Sequence, residues 1–420
     1  MRAIRDSIHR GCFVTTTTQH VQNPSVWRSV DDIDAAAWNQ VRDPDDLFMD
    51  FRLLRVLEST LGDQTELWYV LIRDSHREPV AIACLYTLTP DAFMMAQDCW
   101  SIRIQKQIQK VLPALFAHKV LACGMPLSAA QNYLRIAPHA DHRQVLETLD
   151  RLMLQLGREV GAKYVMLKEF SDDEVACLNH LSALGYRRAD SLPQNVVHPQ
   201  QSSFDDFRKQ VVAPNDRWSI RKSLKKAADG GITTRCSSNP EEITRLFTDD
   251  VHALYASVFG KASRKLEWLP AEFFLELARQ LPEHTSFCFL KKGDQVLAFI
   301  ASVFSRSTYY PLFLGVDYTL NPEYDLYFNV VYGGFSDGLS RGAQTIEMGQ
   351  TCDFFKCHKL GCHQSRRSMF IKGTSRFMHW LMLSQFDKTF PPQPLLHPSV
   401  ASPSGNGNFS RCSANRADSS

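Results

Sequence analysis

The sequence predicts an α/β protein built from two similar mixed-sheet domains in tandem. Two observations carry that expectation. In each half a glycine–alanine pair follows a long helical stretch, GREVGAKYVMLKEF around Gly161 and GLSRGAQTIEMGQT around Gly342. A glycine there ends a helix, and the apolar residues after it open a strand. Each strand then runs into a second short helical stretch and a final strand. The recurrence of helix, strand, helix, strand points to one unit used twice.

The elements follow in order. The first residues are polar, and residues 1–29 are expected to be a flexible N-terminus. VDDIDAAAWNQV and DLFMDFRLLRVLEST read as helices; Asp31 and Asp32 supply a first turn, and Phe51, Leu54 and Leu57 give a stripe. LWYVLIRD and PVAIACLYTLTP form an antiparallel pair across Ser75–Glu78. Residues 97–118 carry an amphipathic pattern with Lys and Arg opposite Ile104, Ile108, Val111, Leu112 and Leu115. KVLACGMPLS is a strand. HRQVLETLDRLMLQLGREVG has apolar residues at 145, 146, 149, 152, 153 and 156, a clear helical face. AKYVMLKEF is a buried strand. The helix DDEVACLNHLSALG and the strand YRRADSLPQNVVH close a first domain expected at 30–200.

The second domain, expected at 203–388, opens on SFDDFRKQV and the basic helix DRWSIRKSLKKAADGG. ITTRCS is a strand, and helices follow at about 240–259 and 270–281. TSFCFLKKGDQVLAFIASVF is a hairpin with a Lys-Lys-Gly-Asp turn. Next come the strand STYYPLFLGVDY, the helix EYDLYFNVVYGGFSDGLSRG, the strand AQTIEMGQ, the short helix DFFKCHKLGC and a last strand HQSRRSMFIKG. Residues 389–420 are rich in Pro, Ser, Asn and Gly and are expected to be a disordered tail.

Composition narrows the class of function. The chain has 420 residues, 44% apolar and 22% charged, with a formal charge of +2. That balance gives no global field for nucleic acid or membrane. No run of apolar residues is long enough for a transmembrane helix. The N-terminus lacks the apolar core of a secretory signal. The eleven cysteines are scattered, several in apolar patterns (Cys84, Cys123, Cys177, Cys288). This usage suits free thiols in a reducing cytosol, and a cytoplasmic location is expected.

Several residues could carry chemistry. Glu347 lies between Ile346 and Met348 on a strand, so alternation turns it to the opposite face. Asp353 follows in the loop or first turn, and Asp317 ends the preceding strand. Any of these carboxylates could take a proton from an attacking amine. Arg221, Lys222, Lys225 and Lys226 share one helix and could hold a diphosphate or another anion; the bland alternative is a solvated basic face. Cys352, Cys357, His358, Cys362 and His363 cluster, but the spacing matches no common zinc site, and no metal is expected. A Cys-His nucleophile pair, Cys352 or Cys357 with His358, has no elbow motif to support it.

The segments SFDDF, RKSLKKAADGGI, YDLYF and GAQTIEMGQ with FKCHKLGC, in that order, resemble the duplicated acetyltransferase-like fold of the GNAT superfamily. The likeness is to its Fem-type and BioF2-like N-acyltransferases, which include peptidoglycan-biosynthesis proteins, and it covers roughly residues 30–373. It implies an N-acyltransferase that moves an acyl or aminoacyl group from a thioester or a charged tRNA to an amine. The donor would be acyl-CoA or another acyl carrier; the acceptor would be a small molecule or a cell-wall precursor. The family's basic helix corresponds to Arg221, Lys222 and Lys225. Its aromatic–lysine pair corresponds to Phe355-Lys356, so Lys356 would face the site and stabilise an oxyanion or a phosphate. Strand alternation and the resemblance together place Tyr309, Asp317, Glu347 and Lys356 around one cavity in or beside the second domain. Tyr327 of the YDLYF segment joins Tyr309 as a substrate-binding residue. One departure favours the alternative, a non-catalytic GNAT-like binding protein. The loop Thr319–Leu326, where acetyltransferases cradle a pyrophosphate, has no glycine and two acids.

Overall fold

The computed structural model describes residues 24–90, 118–261 and 268–396. The expectations for the first 23 residues, for most of the amphipathic stretch at 97–118 and for the tail from 397 onward fall outside them. Among the described residues no helix is long and apolar enough to cross a membrane.

The chain folds into two mixed α/β units. One comprises Met1–Ser191 with Ser368–Pro392, the other Leu192–Arg367 with Gln393–Ser420. The strands of the first half are β1 (Ser25–Trp27), β2 (Leu67–Arg73), β3 (Pro79–Leu88), β4 (Val120–Cys123), β5 (Leu134–Ile136), β6 (Tyr164–Ser171), β7 (Arg187–Asp190) and β8 (Gln194–Val197). Those of the second half are β9 (Ile232–Ser237), β10 (Thr285–Lys292), β11 (Gln295–Phe304), β12 (Thr308–Val316), β13 (Thr345–Glu347), β14 (His363–Ser365) and β15 (Arg367–Gly373).

The sheet of the first unit runs β1-β2-β3-β4-β6-β15-β7, with β5 on β3. β2 and β3 form the expected antiparallel pair, Leu67 opposite Tyr86. β4 and β6 run parallel, Val120 opposite Tyr164. Helices α1 (Ala35–Val41), α2 (Phe51–Leu61) and α3 (His142–Glu159) accompany this sheet. Asp141 caps α3 by accepting from the amides of Arg143 and Gln144. The predicted face of α3, Val145, Leu149 and Met153 among it, packs with Val70, Leu121, Val165 and Phe370 in one core.

The sheet of the second unit runs β14-β8-β13-β12-β11-β10-β9. β9 to β12 form an antiparallel meander, and β12 pairs with β13 in parallel. Helices α4 (Pro214–Asp229), α5 (Asp249–Lys261), α6 (Leu326–Ser340) and α7 (Asp353–Lys359) belong to this unit. α6 buries Val330, Val331, Phe335 and Leu339 in a core shared with Ile300, Val316 and Ile346.

The two glycine turns adopt the same conformation. Gly161 after α3 has φ +72 and Gly342 after α6 has φ +74. The amide of Ala162 donates to the Gly157 carbonyl at 2.7 Å, and that of Ala343 to the Gly338 carbonyl at 3.1 Å. Both close the helix with the six-residue turn that a left-handed glycine permits. The strand that follows enters its sheet parallel to a neighbour in each case.

Three expectations need correction. The stretch 186–198 is not one strand: it breaks at Ser191-Leu192-Pro193, and β7 and β8 enter different sheets. Proline supplies no amide to a ladder, so the break falls where continued pairing would fail. The stretch 363–373 breaks likewise at Arg366, with β14 in the second sheet and β15 in the first. The boundaries expected at 200 and 203 therefore lie at 191/192, and a helix at Arg376–Thr389 joins the first unit rather than the second. Finally, Cys288 is not free. It is bridged to Cys236, its direct partner across β9 and β10, so the argument for cytosol from free thiols loses a member. Cys84 and Cys123 are free and buried, as expected; Cys177 is free but exposed.

Candidate active site in the second unit

β12 and β13 pair over two registers only, Thr308 with Thr345 and Tyr309 with Ile346. β12 then continues to Val316 while β13 stops at Glu347. The chain leaving β13 is a loop with two left-handed residues, Gly349 (φ +78) and Cys352 (φ +58), and Cys352 is the residue on which α7 starts. A non-glycine residue held at positive φ marks a conformation imposed by its surroundings.

Those surroundings centre on β8. The Asn195 side chain donates from Nδ2 to the Gly349 carbonyl at 2.8 Å and to Asp353 Oδ1 at 2.7 Å. Backbone bonds reinforce it: the Asn195 amide donates to the Gly349 carbonyl, and the Met348 amide to the Asn195 carbonyl. Gln194 Nε2 donates to Glu347 Oε2 at 3.0 Å, and Gln350 Nε2 to the Leu192 carbonyl at 2.7 Å. Asn195 is fully buried, so its amide must find its partners within the protein, and here it does. β8 thus holds Glu347, the loop and the first turn of α7 in one frame.

Lys356 lies on that helix, only 7% exposed. Among the described residues no hydrogen bond or ion pair reaches its ammonium. Burial holds its pKa below 10.5, against the opposing fields of Cys352, Cys362, Asp353 and Cys357. Its Nζ approaches the loop: a Cβ added at Gly349 would meet it at 3.7 Å. Tyr327, on α6, donates from its hydroxyl to Cys352 Sγ at 3.1 Å. Cys357 and Cys362 are buried, and burial raises both thiols, Cys362 to about 12. Cys352 is exposed.

The predicted residues therefore divide. Glu347, Asp353, Lys356 and Tyr327 gather around the β13–α7 loop. Glu347 is already engaged there, with Arg367 Nη2 at 3.8 Å as well as Gln194. Asp317 lines a surface hollow with Leu254, Ser257, Lys261, Tyr318 and Thr319. Its Oδ1 accepts from the Thr319 amide and hydroxyl and from the Leu320 amide, which is the work of a turn-capping aspartate. Tyr309 is fully buried in the core and donates to Asp337 Oδ2 at 2.7 Å. It offers no surface to a ligand, and burial raises its hydroxyl well above the usual range; the expected cavity does not include it.

On α4 the cations also divide. Arg221, Lys222 and Lys225 are exposed. Lys226 turns inward, to Asp325 Oδ1 at 2.9 Å and the Pro322 carbonyl at 2.6 Å. It neutralises the acid at the start of α6, to whose Oδ2 the Ser223 hydroxyl also donates at 3.0 Å. Trp218 is 63% exposed, one turn before Arg221 and Lys222, with the Lys222 ammonium 5.3 Å from its ring. Lys359, on α7, binds Asp216 and Ser219 of α4, so the basic helix is tied to the helix that carries Lys356. Asn195, Gln194, Arg367 and Trp218 were not singled out from sequence. An Asn in an apolar strand is the one available signal, because a buried amide must be bonded. The Cys352–His363 cluster does not converge as a metal site. Among the described residues, the donor atoms that come within 4.8 Å of one another are Cys236, Cys288 and Asp337, and those two sulfurs are bonded to each other.

Residues 29–360 match the model of the FemAB-like family, described as peptidoglycan biosynthesis/recognition. Among solved structures, FemX matches with 11% identity over 82% of this chain and 96% of its own, at a TM-score of 0.49. The C-terminal domain of a putative lysylphosphatidylglycerol synthetase from Agrobacterium fabrum matches with 10% identity over 83% and 95%, at 0.47. A tandem GNAT protein from the clavulanic acid biosynthesis pathway matches with 11% identity over 84% and 99%, at 0.46. A search of curated proteins returns no match.

Proposed function

The chain belongs to the FemAB-like family of peptidoglycan biosynthesis and recognition, and from that premise we propose that it is an N-acyltransferase acting on an amine of a cell-wall precursor. The observation that carries this reading is Lys356, a residue only 7% exposed on α7 whose ammonium has no hydrogen bond or ion pair among the described residues. A buried cation without a partner is costly to fold around, and such groups cluster where charge develops during a reaction. In transfer, the acceptor nitrogen bonds to the acyl carbon, and the carrier leaves with the electron pair of the broken bond. Lys356 in its charged form stabilises the oxyanion between these events. Asp353, held by Asn195, receives the proton that the nitrogen sheds.

The donor is an acyl or aminoacyl carrier whose anionic part lies on α4, against Arg221, Lys222 and Lys225, rather than at the start of α6. What supports this is Asp325. It occupies the start of α6 in a left-handed conformation and already takes Lys226 and Ser223. A diphosphate there would meet a carboxylate instead of free amides. A charged tRNA fits this geometry better than coenzyme A.

The test is a thermal-shift comparison of acyl-CoA thioesters with charged tRNAs, followed by transfer to an amine acceptor. Charged tRNA should stabilise the protein. Lys356→Ala should lower kcat by roughly a hundredfold to a thousandfold with little change in KM. Full activity in Lys356→Ala would remove the site. Stabilisation by both kinds of ligand without any transfer would favour a binding protein.

A further inference from the structure

We propose that the outer face of the helix Arg376–Thr389 docks the first unit on an anionic lipid surface. The inference makes no use of the acyl-transfer reading and stands or falls apart from it.

This helix, α8 (Arg376–Thr389), has two unlike faces. Ser375 opens it by accepting from the Met378 amide. Met382 and Phe386 turn inward and pack with Ala189 of β7 and with Met369 and Ile371 of β15. On the other side Phe377, Trp380 and Leu383 recur every third residue, 63%, 62% and 45% exposed. At 100° per residue they fall within an arc of about 120°, the width of one apolar helix face. Phe377 and Trp380 stack on each other, ring centroids 6.1 Å apart. A single exposed apolar residue is ordinary, but three large ones along one helix face form a patch.

Cations stand at both ends of the stripe. At its start are Arg376, Arg158, whose Nε donates to the Thr374 carbonyl at 3.4 Å, and Lys163, whose carbonyl accepts from the Thr374 amide. At its end are Lys388 and Arg187, whose guanidinium lies 5.6 Å from the Phe386 ring. All five are exposed, and Asp387 is the only acid on α8. Positive charge at a helix N-terminus opposes the macrodipole, so Arg376 does not serve the stability of its own helix.

Charge and area select the occupant. Even fully covered, three such side chains bury on the order of 500 Å². A stable protein–protein contact takes about 800 Å² from each partner. A lipid surface needs less. Aromatic and aliphatic side chains on one helix face enter the boundary between headgroups and acyl chains, while flanking Arg and Lys stay at the level of the phosphates. Cations at both ends of the stripe favour anionic headgroups over neutral ones.

The test is cosedimentation of the full-length protein with vesicles, joined to melting curves and light scattering. Wild type should sediment with vesicles of phosphatidylcholine mixed with phosphatidylglycerol, and only weakly with phosphatidylcholine alone or in high salt. Phe377→Ser with Trp380→Ser should weaken binding by at least about tenfold at an unchanged melting temperature. Arg376→Ala and Lys388→Ala should weaken it by roughly fivefold each. Wild-type sedimentation of the double serine variant would overturn the proposal. So would binding lost on Arg221→Ala with Lys225→Ala but kept in that variant, which would place the lipid contact on α4. A lower melting temperature of the serine variant would mean that another part of the chain covers the stripe. A wild-type dimer that the serine variant lacks, without vesicle binding, would make the occupant a second copy. Either result refutes the lipid assignment.

Discussion

Replacing Lys356 by methionine separates stability from activity with one side chain. Methionine keeps most of the volume and shape and removes the charge. In the folded protein burial depresses the ammonium below its unfolded value of 10.5. Between those two values the unfolded chain binds more protons than the folded one, so wild-type stability rises with pH across that window. Below the folded value the whole penalty is present; above 10.5 it is gone. Each unit of depression corresponds to about 1.4 kcal/mol. Lys356→Met carries no such penalty. It should therefore be more stable than wild type at neutral pH by that amount per unit, and the advantage should shrink as pH approaches 10.5. Urea unfolding of both proteins across the alkaline range measures the difference; other titrating groups cancel between them. Acyl transfer should meanwhile fall by roughly 10²–10⁴-fold. A variant less stable than wild type by the same amount at every pH would mean that the ammonium is paired in the native protein, and the case for a poised amine would fail.

Three further outcomes are expected. Asn195→Ala leaves Asp353 without its amide donor and the Gly349 carbonyl with only the backbone amide of residue 195; unfolding free energy should drop by about 1–3 kcal/mol, and transfer should slow with it, whereas an unchanged denaturation midpoint would refute the frame assigned to β8. Gly342→Ala meets open space, so its cost is that of a left-handed alanine, about 1–2 kcal/mol. Gly338→Ala, with a Cβ 2.9 Å from the Tyr309 ring, should cost more, and calorimetric melting should rank the two in that order. Arg221→Ala with Lys225→Ala should weaken binding of the anionic donor about a hundredfold in a titration while costing about 0.5 kcal/mol or less of stability each; Lys226→Ala should show the reverse pattern, since it loses Asp325 and Pro322.

The sequence made visible what depends on local periodicity. The face of α3, the hairpins β2–β3 and β10–β11, and the turns at Gly161 and Gly342 each follow from a pattern that neighbouring residues impose. Lys356 was reachable through resemblance, because the aromatic before it and the glycine after it make a short recognisable segment. Which sheet a strand joins was not legible. β8 and β15 are short segments of mixed polarity, QNVV and RSMFIKG, and their alternation says which side chains share a face but nothing about the partner strand. The same limit explains Tyr309. Alternation sets a direction, yet whether that direction leads to a cleft or to Asp337 depends on where α6 packs. The division among the cations of α4 is tertiary too: Lys225 and Lys226 are adjacent in sequence, and only the second lies beside Asp325.

β15 is an interior strand, flanked by β6 and β7, and this has a consequence for synthesis. During translation the first sheet lacks that strand until the chain beyond Arg367 has left the ribosome. At about 5–20 residues per second, the intervening stretch Leu192–Arg367 takes on the order of ten to thirty seconds to make. For that interval the nascent first half presents an open edge at β6, which is a liability for mispairing with another chain. The second sheet faces no such delay, because all of its strands, from β8 to β14, lie in the one continuous stretch Leu192–Arg367. The unit that carries Lys356 can close while the N-terminal one still waits, and a fragment ending before Arg367 leaves the earlier-made unit as the incomplete one.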